Sequence, residues 1–370
     1  MTRVLHRQEL RDLLLGAAIL GTGGGGSLKQ GLEFTEEDLA AGRRFQLMSL
    51  SELPDDALIA SPYVCGSISP EEGKGSRSDP TIAACVTAFQ ELATYLNEKF
   101  SGVVATEIGG GNTAIALSVS ARADVPIIDA DPAGRSVPEL QHSTFCIHQV
   151  LIAPLAVVTP AGVVVIIKKV TDDSQAEKIA RDLAVASGGQ AGVTDHPARG
   201  AILKNSLIPG TLSTALEIGQ SVRQARASGS DPVQAALDAG SGYLLFRGTL
   251  TQADWEIRAG FTVGQLTVQG GTGYEGHRYE IWYKNEHIIS WFDGEVDITA
   301  PDLICVLEAE TGQPIINPNA QEEMQVAVIG YRAPDMWRSE EGLRLFGPKH
   351  FGYDIDYRVI EENSRLGSSQ

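Results

Sequence analysis

The sequence has few basic residues, few aromatic residues and no long uninterrupted apolar stretch. Its 29 lysines and arginines stand against 47 aspartates and glutamates, which gives a net charge of −18. Nucleic acids and anionic membranes both attract basic surfaces, so neither is expected as a main partner, although a locally basic pocket is not excluded. The longest apolar stretch, near residues 151–170, is interrupted by two prolines, Gly162 and two lysines, and is too broken to span a membrane.

The sequence also lacks the usual marks of a secreted or disulfide-bonded protein. Charged residues interrupt the first twelve positions, where a signal peptide would need an apolar core. The chain has only four cysteines, and no two of them have C-x-x-C spacing, so reduced and mostly buried thiols are expected. These features predict a cytoplasmic protein.

Strand and helix patterns alternate in the first part of the chain, which predicts an α/β domain with a partly parallel sheet. Hairpin patterns dominate later, together with two helices expected at about 174–187 and 209–228. The sequence therefore predicts an α/β N-terminal domain over 1–165, a mainly β C-terminal domain carrying two or more helices over 166–360, and a loose tail over 361–370.

Three carboxylates and one guanidinium follow an apolar run that is typical of a buried strand: Asp129, Asp131, Arg135 and Glu139. Isolated buried charge is costly, and ligands of open α/β sheets bind at the carboxyl ends of strands, so we interpret these four residues as the candidate catalytic centre. Asp129 and Asp131 could bind a divalent metal or act as a base. Glu139 could be a ligand or carry a proton, and Arg135 could hold a substrate carboxylate. The alternative is a structural ion-pair network at a turn.

Two glycine-rich segments are candidate substrate-binding loops. The segment 21–26 contains four consecutive glycines, and Gly23, Gly24 and Gly25 could direct backbone N–H groups at an anion or a carbonyl. Close packing of two elements explains these glycines equally well. The second segment follows a predicted strand and supplies Glu107, Gly110, Gly111 and Asn112. A structural turn with a capping asparagine is the alternative there.

Two further residues complete the candidate site. His142 lies three residues after Glu139, so the two side chains could share one helix face and act as a metal-ligand pair. The metal candidates are therefore Asp129, Asp131, Glu139 and His142. Lys204 could meet an anionic group of the substrate, although a solvated surface lysine is the ordinary alternative.

These motifs together resemble the S-methyl thiohydantoin desulfurase family. The similarity is carried by the glycine segment 21–26 after an N-terminal helix, by Glu-x-Gly-Gly-x-Asn at 107–112, and by the acidic segment 129–141. In the C-terminal half, Thr-Gly-x-Pro-Ile at 311–315 and Phe-Gly-Pro-Lys-x-Phe-Gly-Tyr at 346–353 agree with the same family. The resemblance extends from about residue 8 to residue 357.

The resemblance implies an α/β domain followed by a β-rich domain, and a zinc-dependent hydrolytic step that replaces sulfur by oxygen on a thiohydantoin ring. We therefore expect a metal-dependent hydrolase that acts on a hydantoin- or thiohydantoin-like small molecule in the interdomain cleft. Replacing Asp131 by Asn is expected to abolish turnover. A non-catalytic small-molecule binding protein and an accessory subunit of a hydantoinase-like enzyme are the alternatives. Homo-oligomerisation and a hydantoinase-like partner remain open.

Overall fold

The protein is described by a computed structural model that covers residues 2–66 and 80–366. In these residues a first sheet has nine strands: β1 (Arg3–Leu5), β2 (Phe45–Ser49), β3 (Leu58–Gly66), β4 (Gly102–Val103), β5 (Ile127–Asp131), β6 (Leu155–Val158), β7 (Val164–Ile167), β8 (Gln190–Arg199) and β9 (Ile208–Pro209). The strand order is β1-β2-β5-β4-β3-β8-β6-β7, with β9 paired to β5. The pairs β2–β5, β3–β4 and β4–β5 are parallel and the others are antiparallel, so the sheet is mixed.

Helices surround this sheet. Within the described ranges they are α1 (Arg7–Leu20), α2 (Leu28–Ala40), α3 (Pro80–Leu96), α4 (Asn112–Ala123), α5 (Thr144–Ile147), α6 (Asp173–Ala186), α7 (Gly200–Ser206), α8 (Thr211–Ser228) and α9 (Pro232–Gly240). A short 3-10 turn, Leu50–Glu52, follows β2. Several helices begin with the expected capping side chains: Asp172 and Asp231, for example, accept hydrogen bonds from backbone N–H groups in the first turns of α6 and α9.

Helices α1 and α8 approach each other closely because each has a glycine at the crossing. A Cβ atom on Gly16 would lie 1.8 Å from the carbonyl oxygen of Ala215, and one on Gly219 would lie 1.8 Å from that of Asp12. Neither position tolerates a side chain without a shift of the backbone. This contact joins the N-terminal helix to residues about 200 positions later, so α8 packs onto the first half of the molecule.

A second, antiparallel sheet occupies the C-terminal part. Its seven strands in the described residues are β10 (Tyr243–Arg258), β11 (Phe261–Gly270), β12 (Arg278–Lys284), β13 (Glu286–Phe292), β14 (Glu295–Thr299), β15 (Leu303–Glu308) and β16 (Gln325–Tyr331), in the order β14-β13-β12-β11-β10-β16-β15. The remaining elements are α10 (Glu340–Phe346) and the 3-10 turns Asn317–Asn319, Asp335–Arg338, Pro348–Phe351 and Ile360–Glu362.

Alternation along β12 separates the core of this sheet from the side where Lys284 lies. Tyr279, Ile281 and Tyr283 are buried in the core, whereas Trp282 and Lys284 between and after them are partly exposed. Successive side chains of a strand point to opposite faces, so Lys284 does not share the core face of its neighbour Tyr283.

The structure confirms the fold class: a mixed α/β part followed by a mainly β part with helices. The first sheet and its helices extend beyond residue 165, because β8 pairs with β3 and β9 pairs with β5. Near the C terminus, Arg365 forms an ion pair with Asp297, and residues 367–370 of the segment expected to be loose lie outside the described residues. In the portion covered by the structure, no helix combines the length and the apolar character that crossing a membrane requires.

Candidate functional site

Three groups that could bind a metal lie together where the two halves of the molecule meet. Glu139 and His142 belong to the loop after β5, and His350 belongs to the 3-10 turn Pro348–Phe351. One ligand atom from each residue can be chosen so that all lie within 4.8 Å of one another. We refer to Glu139, His142 and His350 as the Glu–His–His cluster. No other group of three such residues meets this criterion in the described residues.

The two imidazole rings direct the same nitrogen at each other. Nε2 of His142 lies 2.9 Å from Nε2 of His350, and the rings are nearly perpendicular, with centroids 4.6 Å apart. The other ring nitrogen of His142, Nδ1, is buried and has no hydrogen-bond partner in the described part of the chain. His142 therefore has one ring nitrogen whose bonding capacity the protein itself does not use.

Local turns and aromatic packing fix the position of His142. Its backbone N–H donates to the carbonyl of Glu139 at 3.0 Å, which closes a tight turn and brings the two side chains to the same side of the loop. The ring packs against Phe346 at 4.8 Å and Phe351 at 5.5 Å between centroids. These contacts bury one side of the cluster, whereas His350 on the other side is exposed.

Burial keeps both histidines in the form that binds metals. Desolvation, followed by repulsion from His350 and Lys284, holds the pKa of His142 well below its ordinary value. Desolvation also lowers the pKa of His350, against the attraction of Glu139. Both rings are therefore neutral at pH 7, and the neutral imidazole is the ligand form of histidine.

A lysine of the second sheet lies beside Glu139. The ammonium group of Lys284 forms an ion pair with the Glu139 carboxylate, whose other oxygen accepts a hydrogen bond from Gln141. The same ammonium lies 4.1 Å from the centroid of the Phe261 ring. Glu139 and Lys284 therefore join the two halves of the molecule at the edge of the cluster.

The predicted metal ligands Asp129 and Asp131 are not members of this cluster. Asp129 accepts hydrogen bonds from the backbone N–H of Ser213 at 3.0 Å and from its hydroxyl at 2.5 Å. Asp131 is fully buried and accepts from the backbone N–H groups of Ala133 at 2.9 Å and Gly134 at 2.9 Å. In both cases the carboxylate fixes the backbone around the end of β5, which corresponds to the structural alternative considered for this segment.

Arg135 is buried at the junction of the two halves and links them. Its five N–H groups donate to the carbonyls of Ser136, Pro301, Asp302 and His287 and to the hydroxyl of Thr22. A guanidinium has five N–H donors, and all five are in use. No donor is left for the substrate carboxylate that the sequence analysis assigned to this residue.

Glu107 and Asn112 bind each other and the neighbouring backbone. Glu107 is buried, accepts from the Asn112 amide at 2.7 Å and accepts from the backbone N–H of Val137 at 2.8 Å. The Asn112 carbonyl oxygen accepts from the backbone N–H of Val64 at 3.1 Å. Desolvation raises the pKa of Glu107, and these hydrogen bonds and Arg135 lower it in part. The pair connects β3, the loop 104–111 and the loop after β5, which we call the acidic loop (residues 132–143).

The glycine segments provide close packing between protein atoms. A Cβ atom on Gly24 would lie 1.9 Å from Oε1 of Glu286, and one on Gly25 would lie 2.0 Å from Oγ of Ser136. The other candidates are equally enclosed: Cβ atoms on Gly23, Gly110 and Gly111 would lie within 3.0 Å of Asn317, Leu28 and Gly26 respectively. This favours the packing alternative for both segments.

Lys204 lies on the surface of the first half. Its ammonium group forms an ion pair with Asp55 at 2.7 Å, and the Asp55 side chain is 74% exposed. This arrangement corresponds to the solvated lysine considered as the alternative.

Three residues at the site were missed by the sequence analysis: His350, Lys284 and Phe261. His350 occupies the unspecified position within the Phe-Gly-Pro-Lys-x-Phe segment, so the motif was recognised and its histidine was not. Lys284 was not singled out as a site candidate. Neither residue stands in a local pattern with Glu139, so only the tertiary structure relates them to it.

Comparisons with known proteins agree with this architecture. A family model described as "S-Me-THD-like, N-terminal domain" matches residues 8–169, and one described as "S-Me-THD-like, C-terminal domain" matches residues 171–360. The fold is similar to the crystal structure of a protein from Chromobacterium violaceum, with a TM-score of 0.79 and 23% sequence identity over 97% of this chain and 100% of that one. A search of curated proteins finds no match.

Proposed function

Because the chain belongs to the S-methyl thiohydantoin desulfurase family, we propose that it is a metal-dependent hydrolase of thiohydantoin-like rings with its centre at the Glu–His–His cluster. The observation that carries the proposal is the pair of Nε2 atoms 2.9 Å apart, contributed by histidines 208 residues apart in the chain, with a carboxylate beside them. Of the four metal ligands predicted from the sequence, the proposal keeps Glu139 and His142, omits Asp129 and Asp131, and adds His350.

The residues of the cluster fit a divalent metal such as zinc. Two histidines and one carboxylate form a common ligand set of catalytic zinc sites, in which a fourth position stays open. Both imidazoles are neutral at pH 7, and Nδ1 of His142 has no partner among the described residues. Glu139, His142 and His350 would hold the ion, which when bound polarises a C=O or C=S group and lowers the pKa of water.

The side chains of this protein would then control access and proton movement. Hydrolysis adds water to the ring carbon that carries sulfur and breaks the bond between that carbon and sulfur. From an S-methyl thiohydantoin, methanethiol leaves with one proton of the water and the other proton passes to the ring nitrogen. From a thiohydantoin, both protons leave with the sulfur as hydrogen sulfide. Glu139 supplies the carboxylate of the cluster, and this carboxylate would carry the proton to the leaving group. Phe346 and Phe351 cover one side of His142 and limit the entry of bulk water.

Metal analysis combined with a substrate panel tests the proposal. The purified protein, supplemented with zinc and then freed of excess metal, should retain about one ion per chain, since one ligand cluster is present. It should also release a thiol or sulfide from S-methyl thiohydantoins or thiohydantoins. Metal retention without release from any member of the panel would favour a non-catalytic binding protein. Release only in the presence of a co-purifying partner would favour the accessory-subunit alternative.

A further inference from the structure

We propose that Lys284 binds an anionic group of the substrate, so that the preferred ligands are hydantoin-type rings carrying a carboxylate. This inference rests on the proposed function, because it places the ring at the Glu–His–His cluster. It transfers to Lys284 the carboxylate-binding role that Arg135, with all its donors engaged, cannot perform.

Lys284 has unused hydrogen-bonding capacity at the site. An ammonium group has three N–H donors, and the only acceptor of Lys284 among the described residues is Glu139. Its side chain is 23% exposed, so a ligand can reach it. The two remaining donors belong to an ammonium group that contacts Glu139, the carboxylate that would bind the metal.

The neighbouring cation Arg181, unlike Lys284, has most of its N–H groups engaged by the protein. Its guanidinium donates to Glu177 and to the carbonyls of Gly66, Gly260 and Pro138. Its side chain is only 11% exposed. Arg181 is therefore paired with Glu177 and has little capacity for a direct ligand contact.

The position of the ammonium is well fixed. Lys284 Nζ and Arg181 Cζ each lie 4.1 Å from the centroid of the Phe261 ring. The next residue, Asn285, exchanges hydrogen bonds with Thr262 at 2.6 and 2.9 Å, which ties the end of β12 to β11. A fixed cation loses little side-chain entropy when it binds an anion.

Charge favours an anionic ligand here in spite of the net charge of −18. The overall charge repels a carboxylate at long range, but screening limits that repulsion at physiological ionic strength. Close to the site, Lys284 attracts the carboxylate directly, whereas Arg181 is paired with Glu177. A bound divalent ion would neutralise Glu139. A charge-assisted contact of this kind should favour the anion over a neutral isostere by roughly tenfold or more.

The test compares two ligands that differ only in charge: 5-(carboxymethyl)hydantoin and its neutral amide, 5-(carbamoylmethyl)hydantoin. Isothermal titration calorimetry on the zinc-supplemented full chain should show that the wild type binds the acid roughly tenfold or more tightly than the amide. Lys284→Met should bind both with similar affinity, and Lys284→Arg should recover part of the preference. Lys178→Met, which removes an exposed lysine of α6, should behave as the wild type.

Equal affinities in the wild type, or an undiminished preference in Lys284→Met, would overturn the role of Lys284. A circular-dichroism melting curve on each variant excludes unfolding as the cause of a loss. Turnover of thiohydantoins is measured separately. A wild type that prefers the acid but hydrolyses nothing contradicts the proposed function alone, whereas one that hydrolyses both charge forms equally and binds them equally contradicts this inference alone.

Discussion

The segment 129–135 precedes Glu139 and His142 of the Glu–His–His cluster by only a few residues, but the segment and the cluster use their polar atoms in opposite ways. Asp129 and Asp131 accept hydrogen bonds from nearby backbone or hydroxyl groups, and Arg135 donates all five of its N–H groups to the protein. In the cluster, by contrast, two imidazole nitrogens face each other and Nδ1 of His142 has no partner in the described residues. The cluster therefore differs from the segment 129–135 in having a buried polar atom without a partner, and the number of charged residues does not distinguish the two.

The sharpest test of this comparison is to remove one imidazole. His142→Ala or His350→Ala should abolish zinc retention and lower kcat/KM by roughly a thousandfold, which corresponds to about 4 kcal/mol of lost electrostatic stabilisation. Zinc content by atomic emission and thiol release measured on the same samples provide the two readouts. His277→Ala is the matched control, since His277 is 47% exposed and pairs with Asp293 away from the cluster. Full zinc content and activity in both cluster variants would place the centre elsewhere.

Removing Arg135, whose five N–H groups all donate to the protein, should lower the stability of the fold. Arg135→Met removes five hydrogen bonds at the junction of the two halves and leaves buried Glu107 and Glu286 without their nearby cation. We expect the free energy of unfolding to fall by about 3 kcal/mol, as measured by urea denaturation. Arg344→Met, which breaks an exposed pair with Glu341, should leave the free energy of unfolding nearly unchanged. Similar losses in the two variants would show that Arg135 does not hold the halves together.

The contrast also shows how far sequence reasoning reached. The alternation of strands and helices, the later hairpins and the acidic loop after β5 were all visible as local patterns, and His142 followed from its spacing to Glu139. His350 lies 208 residues beyond His142 and has no local relation to it. Lys284 could not be assigned either, because only the pairing of the halves places it against Glu139. The extension of the first sheet beyond residue 165 has the same origin, since β8 joins β3 through long-range pairing.

A smaller effect is expected from filling the glycine segment. Gly24→Ala would place a methyl group against the Glu286 carboxylate, which is only 2% exposed and has little room to move. We expect a loss of about 2 kcal/mol in the free energy of unfolding from this overpacking. Gly271→Ala serves as the control, because its nearest non-neighbouring atom would lie at 3.5 Å. Equal stability of the two variants would reopen the interpretation of the segment as a ligand-binding loop.

The smallest expected effect is a change in the free energy of unfolding with pH. It arises because the buried carboxyl group of Asp131 has a higher pKa than an exposed one. Burial raises the pKa of Asp131 to about 7, against the lowering effect of the Gly134 and Ala133 N–H groups. An unfolded aspartate has a pKa of about 3.9, so between these values the folded state binds the extra proton. The contribution of Asp131 to the free energy of unfolding is therefore fully present below about pH 4 and is lost as the pH rises through about 7.

Urea denaturation of the wild type and of Asp131→Asn at pH 5.5 and pH 8 isolates this contribution. The asparagine does not titrate, whereas the histidines and the other buried carboxylates titrate alike in both proteins and cancel in the comparison. Relative to the variant, the wild type should lose about 1 kcal/mol of stability between the two pH values, less than the full linkage because water and small backbone shifts relax a buried charge. Parallel pH profiles would mean that Asp131 is ionised in the folded protein throughout this range. The Asp131 carboxylate would then carry a permanent buried charge, and the hydrogen bonds from Ala133 and Gly134 would have to stabilise that charge.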